Sequence, residues 1–374
     1  MQFEIDQSAL LSSLALAQTV ADRRHRVLDN VLIRAGDEGV VFSSTDTMIA
    51  LTESVACKVT EPGALCIGVH HLHSVAKTLP PGAVKVNSLY NSWAQIRASR
   101  SEFKLMGIPE GDFPELPDPG DVSFTSIPSH RFVDLIEKTL FSVSTDEARI
   151  NLNGALFESD GSQATMVSTD GHRLTKYSLD LAGPELANGI IIPRKGLEEL
   201  RRVLSTGPRP RTSGEGYCDI GVDGGHLFVR FGSLTASVAT TRSSFPPYGQ
   251  VIPKDYTRRV EANRVELIAA LRQAAVIAPD KTSTVRLDLK RGSIELHADN
   301  PELGAISLDM PVTYDGADLS SGFNATYLIE ALGAIVTDAV LLDFTDELSP
   351  VVLRPAGDEI EAPDLLAVIM PMRI

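Results

Sequence analysis

Residues Asn151–Asp180 read NLNGALFESDGSQATMVSTDGHRLTKYSLD. Apolar and polar residues alternate along Leu152–Glu158, Thr165–Ser168 and Leu174–Leu181, which predicts three strands. Between the last two lies Thr169-Asp170-Gly171-His172-Arg173-Leu174, a polar, glycine-bearing segment that predicts a sharp reversal. Two other meanders have the same order. Asn30–Ile33, Val40–Ser44 and Met48–Val59 form one, and Arg286–Lys290, Ser293–Ala298 and Gly304–Pro311 form the other. Their reversals, Ser44-Thr45-Asp46-Thr47 and Ala298-Asp299-Asn300-Pro301, place Asp46 and Asn300 as the equivalents of Asp170.

The flanks repeat as well. A short strand at Gln2–Ile5, Val122–Thr125 or Arg259–Glu261 precedes helical apolar spacing. That spacing is Leu10, Leu11, Leu14, Ala17 in the first copy, Phe132, Val133, Ile136, Leu140 in the second and Val265, Ile268, Leu271 in the third. Pro128 suits a first helical turn, and Asn263 with Glu266 reads as a capping box. After each meander come a strand and a second helix: Ala64–Gly68 with Val69–Leu79, Ile190–Ile192 with Pro193–Leu204, and Ser321–Phe323 with Asn324–Val336. Further hairpins close each copy. The chain thus reads as an α+β unit of about 125 residues repeated three times, with expected domains at 1–120, 121–252 and 253–374.

Composition bounds the function. At 43% apolar residues the chain can fill several cores, and no run reaches the length of a membrane span. The N-terminus has no secretory pattern, and Cys57, Cys66 and Cys218 have no metal spacing, so a cytoplasmic protein with reduced thiols is expected. The net charge of −15 argues against nucleic acid only if it is spread evenly. It is not. Thr337–Leu365 carries eight acids and one base, Arg354, whereas bases cluster at Arg23, Arg24 and Arg26, at Arg194, Lys195, Arg201 and Arg202, at Arg209 and Arg211, and at Arg258, Arg259 and Arg264.

The segments Asp170-Gly171-His172-Arg173-Leu174, Ile192-Pro193-Arg194-Lys195-Gly196 and Val368-Ile369-Met370-Pro371-Met372-Arg373-Ile374, in this order, resemble the bacterial DNA polymerase III beta subunit, the sliding clamp. Leu152-Asn153-Gly154 and Phe245-Pro246 add to the likeness, which spans the whole chain. The resemblance implies three similar DNA-clamp domains, each with two helices inside and two β-sheets outside, and a head-to-tail dimer ring. It implies a non-catalytic processivity factor for DNA replication. The expected partners are double-stranded DNA without sequence preference, the DNA polymerase III alpha subunit, a clamp loader, other clamp-binding-motif proteins and a second copy of the chain. No cofactor is expected. Bases on or beside the predicted helices would face the phosphates.

By the same resemblance, Leu152, Thr169, Gly171, His172, Arg173, Leu174, Pro246, Val251, Val368, Met370, Pro371, Met372 and Arg373 frame a cleft for partner peptides. Methionines flanking a proline suit varied apolar ligands. Arg23, Arg24, Arg149, Arg194 and Lys195 would face DNA. Phe103 and Leu105 would meet Val276 and Ile277 of a second copy. Two stretches depart from the family: His25-Arg26-Val27-Leu28 shortens the loop after Arg24, and Gly249-Gln250 follow Tyr248 where the family often has basic residues.

Rival readings weigh less on the residues. Asp170 and His172 resemble an acid/base pair, but no nucleophile or oxyanion device accompanies them. His70, His71 and His73 lack a carboxylate or cysteine at ligand spacing, so no metal is expected. A diverged accessory clamp serving another partner fits the same residues.

Overall fold

The computed structural model describes residues 1–206, 216–279, 282–356 and 364–373, and one element order runs three times along them, with one extra strand in the first pass. The first pass is β1 (Gln2–Asp6), α1 (Gln7–Val20), β2 (Asn30–Gly36), β3 (Gly39–Thr45), β4 (Ile49–Val55), β5 (Lys58–Glu61), β6 (Gly63–Gly68), α2 (Val69–Thr78), β7 (Ala83–Ser88), β8 (Trp93–Ala98) and β9 (Ser101–Ile108). The second is β10 (Thr125–Pro128), α3 (Ser129–Thr139), β11 (Gly154–Ser159), β12 (Gln163–Thr169), β13 (Arg173–Asp180), β14 (Leu186–Pro193), α4 (Arg194–Thr206), β15 (Tyr217–Asp223), β16 (His226–Phe231) and β17 (Leu234–Ala239). The third is β18 (Arg258–Asn263), α5 (Arg264–Ile277), β19 (Thr284–Lys290), β20 (Ser293–Asn300), β21 (Gly304–Pro311), β22 (Leu319–Asn324), α6 (Ala325–Ala334), β23 (Ala339–Phe344), β24 (Val351–Pro355) and β25 (Asp364–Ile369). Arg209, Arg211 and Ile374, named above, lie outside the described residues, as do three of the eight late acids, Asp358, Glu359 and Glu361.

Three details differ from the sequence reading. Met48–Val59 is not one strand, because β5 leaves β4 and pairs with β1, setting Val59 opposite Phe3. The strand expected at Val122–Thr125 is β10, three residues later. Ile127 takes the buried position there, while Phe124 packs under the Arg230 guanidinium, 3.8 Å from it. Pro128 therefore ends a strand instead of opening a helix, and β10 is an edge strand, where a missing N–H is tolerated. The strand β20 also runs through Asn300 to pair with Gly304.

Helix starts are encoded locally. Asp6 accepts from the Ser8 N–H at 2.9 Å, Asn263 from Glu266 at 3.0 Å and Asn324 from Tyr327 at 3.1 Å, each satisfying an orphan donor of the first turn.

The described chain divides into two compact units, Met1–His130 with Glu199–Thr240, and Arg131–Glu198 with Thr241–Ile374. The first holds one sheet in the order β10-β15-β16-β17-β4-β3-β2-β6-β9-β8-β7-β1-β5. The stripe Leu10, Leu14 and Ala17 of α1 packs with Phe3, Ile33, Phe42 and Ile96. Each fully buried leucine there contributes about 1.5–3 kcal/mol. The second unit holds two sheets, β14-β11-β12-β13-β25-β24-β23-β18 and β21-β20-β19-β22. In it β25 lies antiparallel to β13, with Leu174 opposite Val368 in a core shared with Leu156, Val167 and Val352.

Besides the sheet-end strands β5 and β10, two more segments keep an unpaired side among the described residues. The strand β21 pairs only with β20, and Ser101–Met106 of β9 pairs only with β8.

Candidate functional site

The Thr169–Arg173 turn is built by its own side chains. Asp170 Oδ1 accepts from the N–H groups of His172 (2.9 Å) and Arg173 (3.0 Å). Thr169 Oγ1 donates to the Arg173 carbonyl at 2.6 Å and accepts from the Gly171 N–H at 3.1 Å. Gly171 has φ +89°, a conformation natural to glycine. The first repeat uses the same device: Asp46 Oδ1 accepts from Met48 and Ile49, and Thr45 Oγ1 donates to the Ile49 carbonyl. There, however, Thr47 carries the positive φ of 76°.

Among the described residues, the middle turn is the one of the three that meets the chain's end. The Met370 N–H donates to the His172 carbonyl at 2.9 Å, so the tail continues the ladder of β25 beside the turn. After Pro371, the Met372 N–H donates to the Gly322 carbonyl of β22 at 2.8 Å. Thr284 Oγ1 donates to the Met372 sulfur at 3.6 Å.

Turn and tail enclose a cavity of about 150 Å³ lined by Leu152, Thr169, Gly171, Arg173, Leu174, Pro246, Tyr248, Val251, Val368 and Met370. Nine of the thirteen residues expected for the cleft are thus brought together. His172 is exposed and contributes its carbonyl to the tail, and Pro371 links the two halves of the tail. Met372 and Arg373 line a separate cavity of about 620 Å³ with Thr284, Arg286, His297, Asp299 and Ile306 among others.

Sequence reading missed Tyr248. Its hydroxyl donates to Glu158 at 2.7 Å, and its ring meets Phe245 edge-on. Burial, with Glu158 next, pushes the phenol up to about 12, so it remains a donor at neutral pH. The signal was available as an aromatic at each end of Phe245-Pro246-Pro247-Tyr248.

Arg173 is held from beneath. Its Nε meets Asp170 at 3.0 Å, its Nη2 donates to the Phe141 carbonyl at 2.6 Å, and its Nη1 pairs with Glu330. The guanidinium lies 4.2 Å from the Tyr327 ring and 5.4 Å from that of Phe141. Phe141, Tyr327 and Glu330 were not legible as supports, because nothing local in the sequence ties them to the turn.

The five bases expected to face DNA divide. Arg23, Arg24 and Lys195 are exposed. Arg149 lies against the turn, donating to the Asp170 carbonyl at 3.0 Å. Arg194 is half-buried and donates to the Val143 carbonyl at 3.0 Å while pairing with Glu198. The shortened loop after Arg24 folds as successive turns, with the Asp22 N–H donating to Leu28 O and the Asp29 N–H to His25 O.

Phe103 and Leu105 are half-buried on β9 against the first unit's core. Val276 on α5 is 72% exposed, and Ile277 is half-buried. Among the described residues, Asp288, Glu295 and His297 have ligand atoms within 4.8 Å of one another. Arg286 and Lys290 already pair with those two carboxylates, so the cluster is an ion-pair network on a sheet face. No described helix is long and apolar enough to cross a membrane.

Models of the three DNA polymerase III beta subunit domains match residues 1–117 (N-terminal), 126–226 (central) and 249–373 (C-terminal). The chain belongs to the DNA polymerase III beta subunit family, the bacterial beta sliding clamps. It is 32% identical to the beta sliding clamp of Pseudomonas aeruginosa and 30% identical to that of Escherichia coli K12, over the full length of each. The solved Pseudomonas aeruginosa DNA polymerase III subunit beta superposes with a TM-score of 0.93 at 31% identity, covering all of both chains. The same organism's clamp bound to griselimycin gives 0.91 at 31%. A clamp fold with three related α+β repeats is therefore shared across the family, and the turn–tail cavity is lined from the central and C-terminal matches and from Pro246 and Tyr248 between them.

Proposed function

We propose that two copies of this chain close head to tail into a ring around double-stranded DNA and hold the replicative polymerase there. A closed ring need not grip DNA to stay on it. A polymerase tethered to the ring stays concentrated near the primer end and is recaptured after each dissociation. This role needs no catalytic residue, and we assign none.

The observation that carries the reading is the meeting of the Thr169–Leu174 turn with Val368 and Met370 around one apolar cavity. A short, partly apolar peptide of the DNA polymerase III alpha subunit, of the clamp loader or of another clamp-binding-motif protein would fill it. All thirteen cleft residues named from the sequence belong to this proposed surface, with Met372 and Arg373 at its far end. Arg23, Arg24 and Lys195 would contact phosphates without reading sequence. Arg149 and Arg194 would act beside them by holding the backbone that carries the turn and α4.

The unpaired sides of β9 and β21, like those of the other edge strands, offer backbone groups that a second copy would pair with. Phe103, Leu105, Val276 and Ile277 would flank that seam. The working domains are 1–120, 121–252 and 253–374, and the compartment is the bacterial cytoplasm, at the nucleoid during replication.

A topology assay tests this. Loaded protein should remain on nicked circular DNA and leave once the circle is cut. Equal retention on linear DNA would overturn the ring.

A further inference from the structure

Asp29 and Arg23 flank the His70 ring where the loop after α1 meets the start of α2. Arg23 Nη2 and His70 Nδ1 are 3.0 Å apart. A guanidinium only donates, so Nδ1 is the bare nitrogen of the ring and the proton sits on Nε2. That Nε2 faces Asp29 Oδ1 at 3.6 Å, and neither atom has a hydrogen-bond partner.

The frame around the ring is fixed. The Asp29 carbonyl accepts from the Val69 N–H at 2.9 Å, and the Asp29 N–H donates to His25 O at 2.9 Å. His70 lies in the first turn of α2, where the helix dipole disfavours a cation. Burial, the Arg23 charge and His71 hold the imidazole below its ordinary pKa, against the pull of Asp29.

We propose that His70 is a positioning residue for DNA: its neutral ring, oriented by Asp29, fixes the exposed Arg23 guanidinium so that its other N–H groups meet phosphate oxygens. This rests on the reading of Arg23 as a phosphate contact. Free arginine side chains lose much rotamer freedom on binding, and an acceptor that holds one N–H in advance removes part of that loss. His70, His71 and His73 first read as a failed metal cluster. For His70 the structure supplies the missing carboxylate, Asp29, from another part of the chain, and the third partner is an arginine.

The test is fluorescence anisotropy of a labelled short duplex with the full chain at low salt. Arg23→Ala should weaken binding several-fold and lower the salt slope by about one. His70→Leu should match it, and the double variant should be no weaker than Arg23→Ala. His70→Asn, whose amide oxygen can accept in place of Nδ1, should stay close to the unaltered protein. If Arg23→Ala weakens binding but His70→Leu does not, the positioning role falls and the phosphate contact stands. If Arg23→Ala changes nothing, both fall. His70→Asn as weak as His70→Leu also overturns the role. Should His70→Leu fail to fold, nitrogen-15 spectra of the unaltered protein decide: the Nε2–H tautomer of His70 is expected at neutral pH, and the Nδ1–H tautomer would refute the arrangement.

Discussion

The Arg173 guanidinium of the second repeat lies 4.2 Å from the ring centroid of Tyr327, which the third repeat supplies from α6. The cavity's turn is therefore braced by a helix remote in sequence, and Glu330 on the same helix adds an ion pair. The stacking contributes about 0.5–2 kcal/mol. Tyr327→Ala should lower the melting temperature and weaken a clamp-binding peptide in titration calorimetry. Arg173→Lys should do the same, since an ammonium cannot stack and fork at once. Unchanged peptide affinity in both variants would remove the brace from the binding account.

Removal of Met370–Ile374 takes away one wall of the cavity and the hydrogen bond to His172, but no residue of β9 or α5. Peptide binding should be abolished while the dimer persists in light scattering. A truncated chain that still binds the peptide at full affinity would sink the cleft assignment.

Val276 is 72% exposed near the end of α5, on the proposed seam. Val276→Asp with Ile277→Asp should give folded monomers, because a carboxylate in a closed seam would lose its hydration. Sedimentation that still reports dimers would place the seam elsewhere.

Thr47 holds φ +76° in the turn where the middle repeat has Gly171. A left-handed backbone costs a non-glycine residue about 1–2 kcal/mol, partly offset by the greater unfolded freedom of glycine. Thr47→Gly should raise stability by about 0.5–1 kcal/mol in urea unfolding. A loss of stability would show that the Thr47 side chain contributes more than its backbone costs.

Glu53 on β4 is buried, 7% exposed, and burial raises its carboxyl above the ordinary value despite a hydrogen bond with Ser13. A raised folded-state pKa means that the stability linked to the protonated form is complete below the unfolded value of about 4.3. It is lost as pH rises through the folded value. Glu53→Gln should therefore raise the melting temperature at pH 8 more than at pH 4. An equal gain at both would show that charge is not the cause.

Periodicity and internal comparison were enough to find the three repeats, because each element carries its own local signal: a cap at Asn263, alternation along Leu174–Leu181, an Asx turn at Asp170. The cleft was legible where residues cluster in sequence, at 169–174 and 368–370. Tyr327, Glu330 and Phe141 were not, because their role depends on helix and strand placement. Arg149 and Arg194 looked like surface bases, since sequence cannot tell a charge that faces solvent from one spent on a backbone carbonyl. The displaced β10 was lost to the same ambiguity. Phe124 and Ile127 are both apolar, and only packing decides which turns inward.

The antiparallel ladders of β17 on β4 and of β13 on β25 have a mechanical consequence. Five paired positions join the second repeat to the first, and six join it to the third. A pull along either junction would have to shear several hydrogen bonds at once, and the peptide chain also spans it. A seam between two copies in the proposed ring would have no such covalent tie. Under load the proposed ring would part there before either repeat junction gave way.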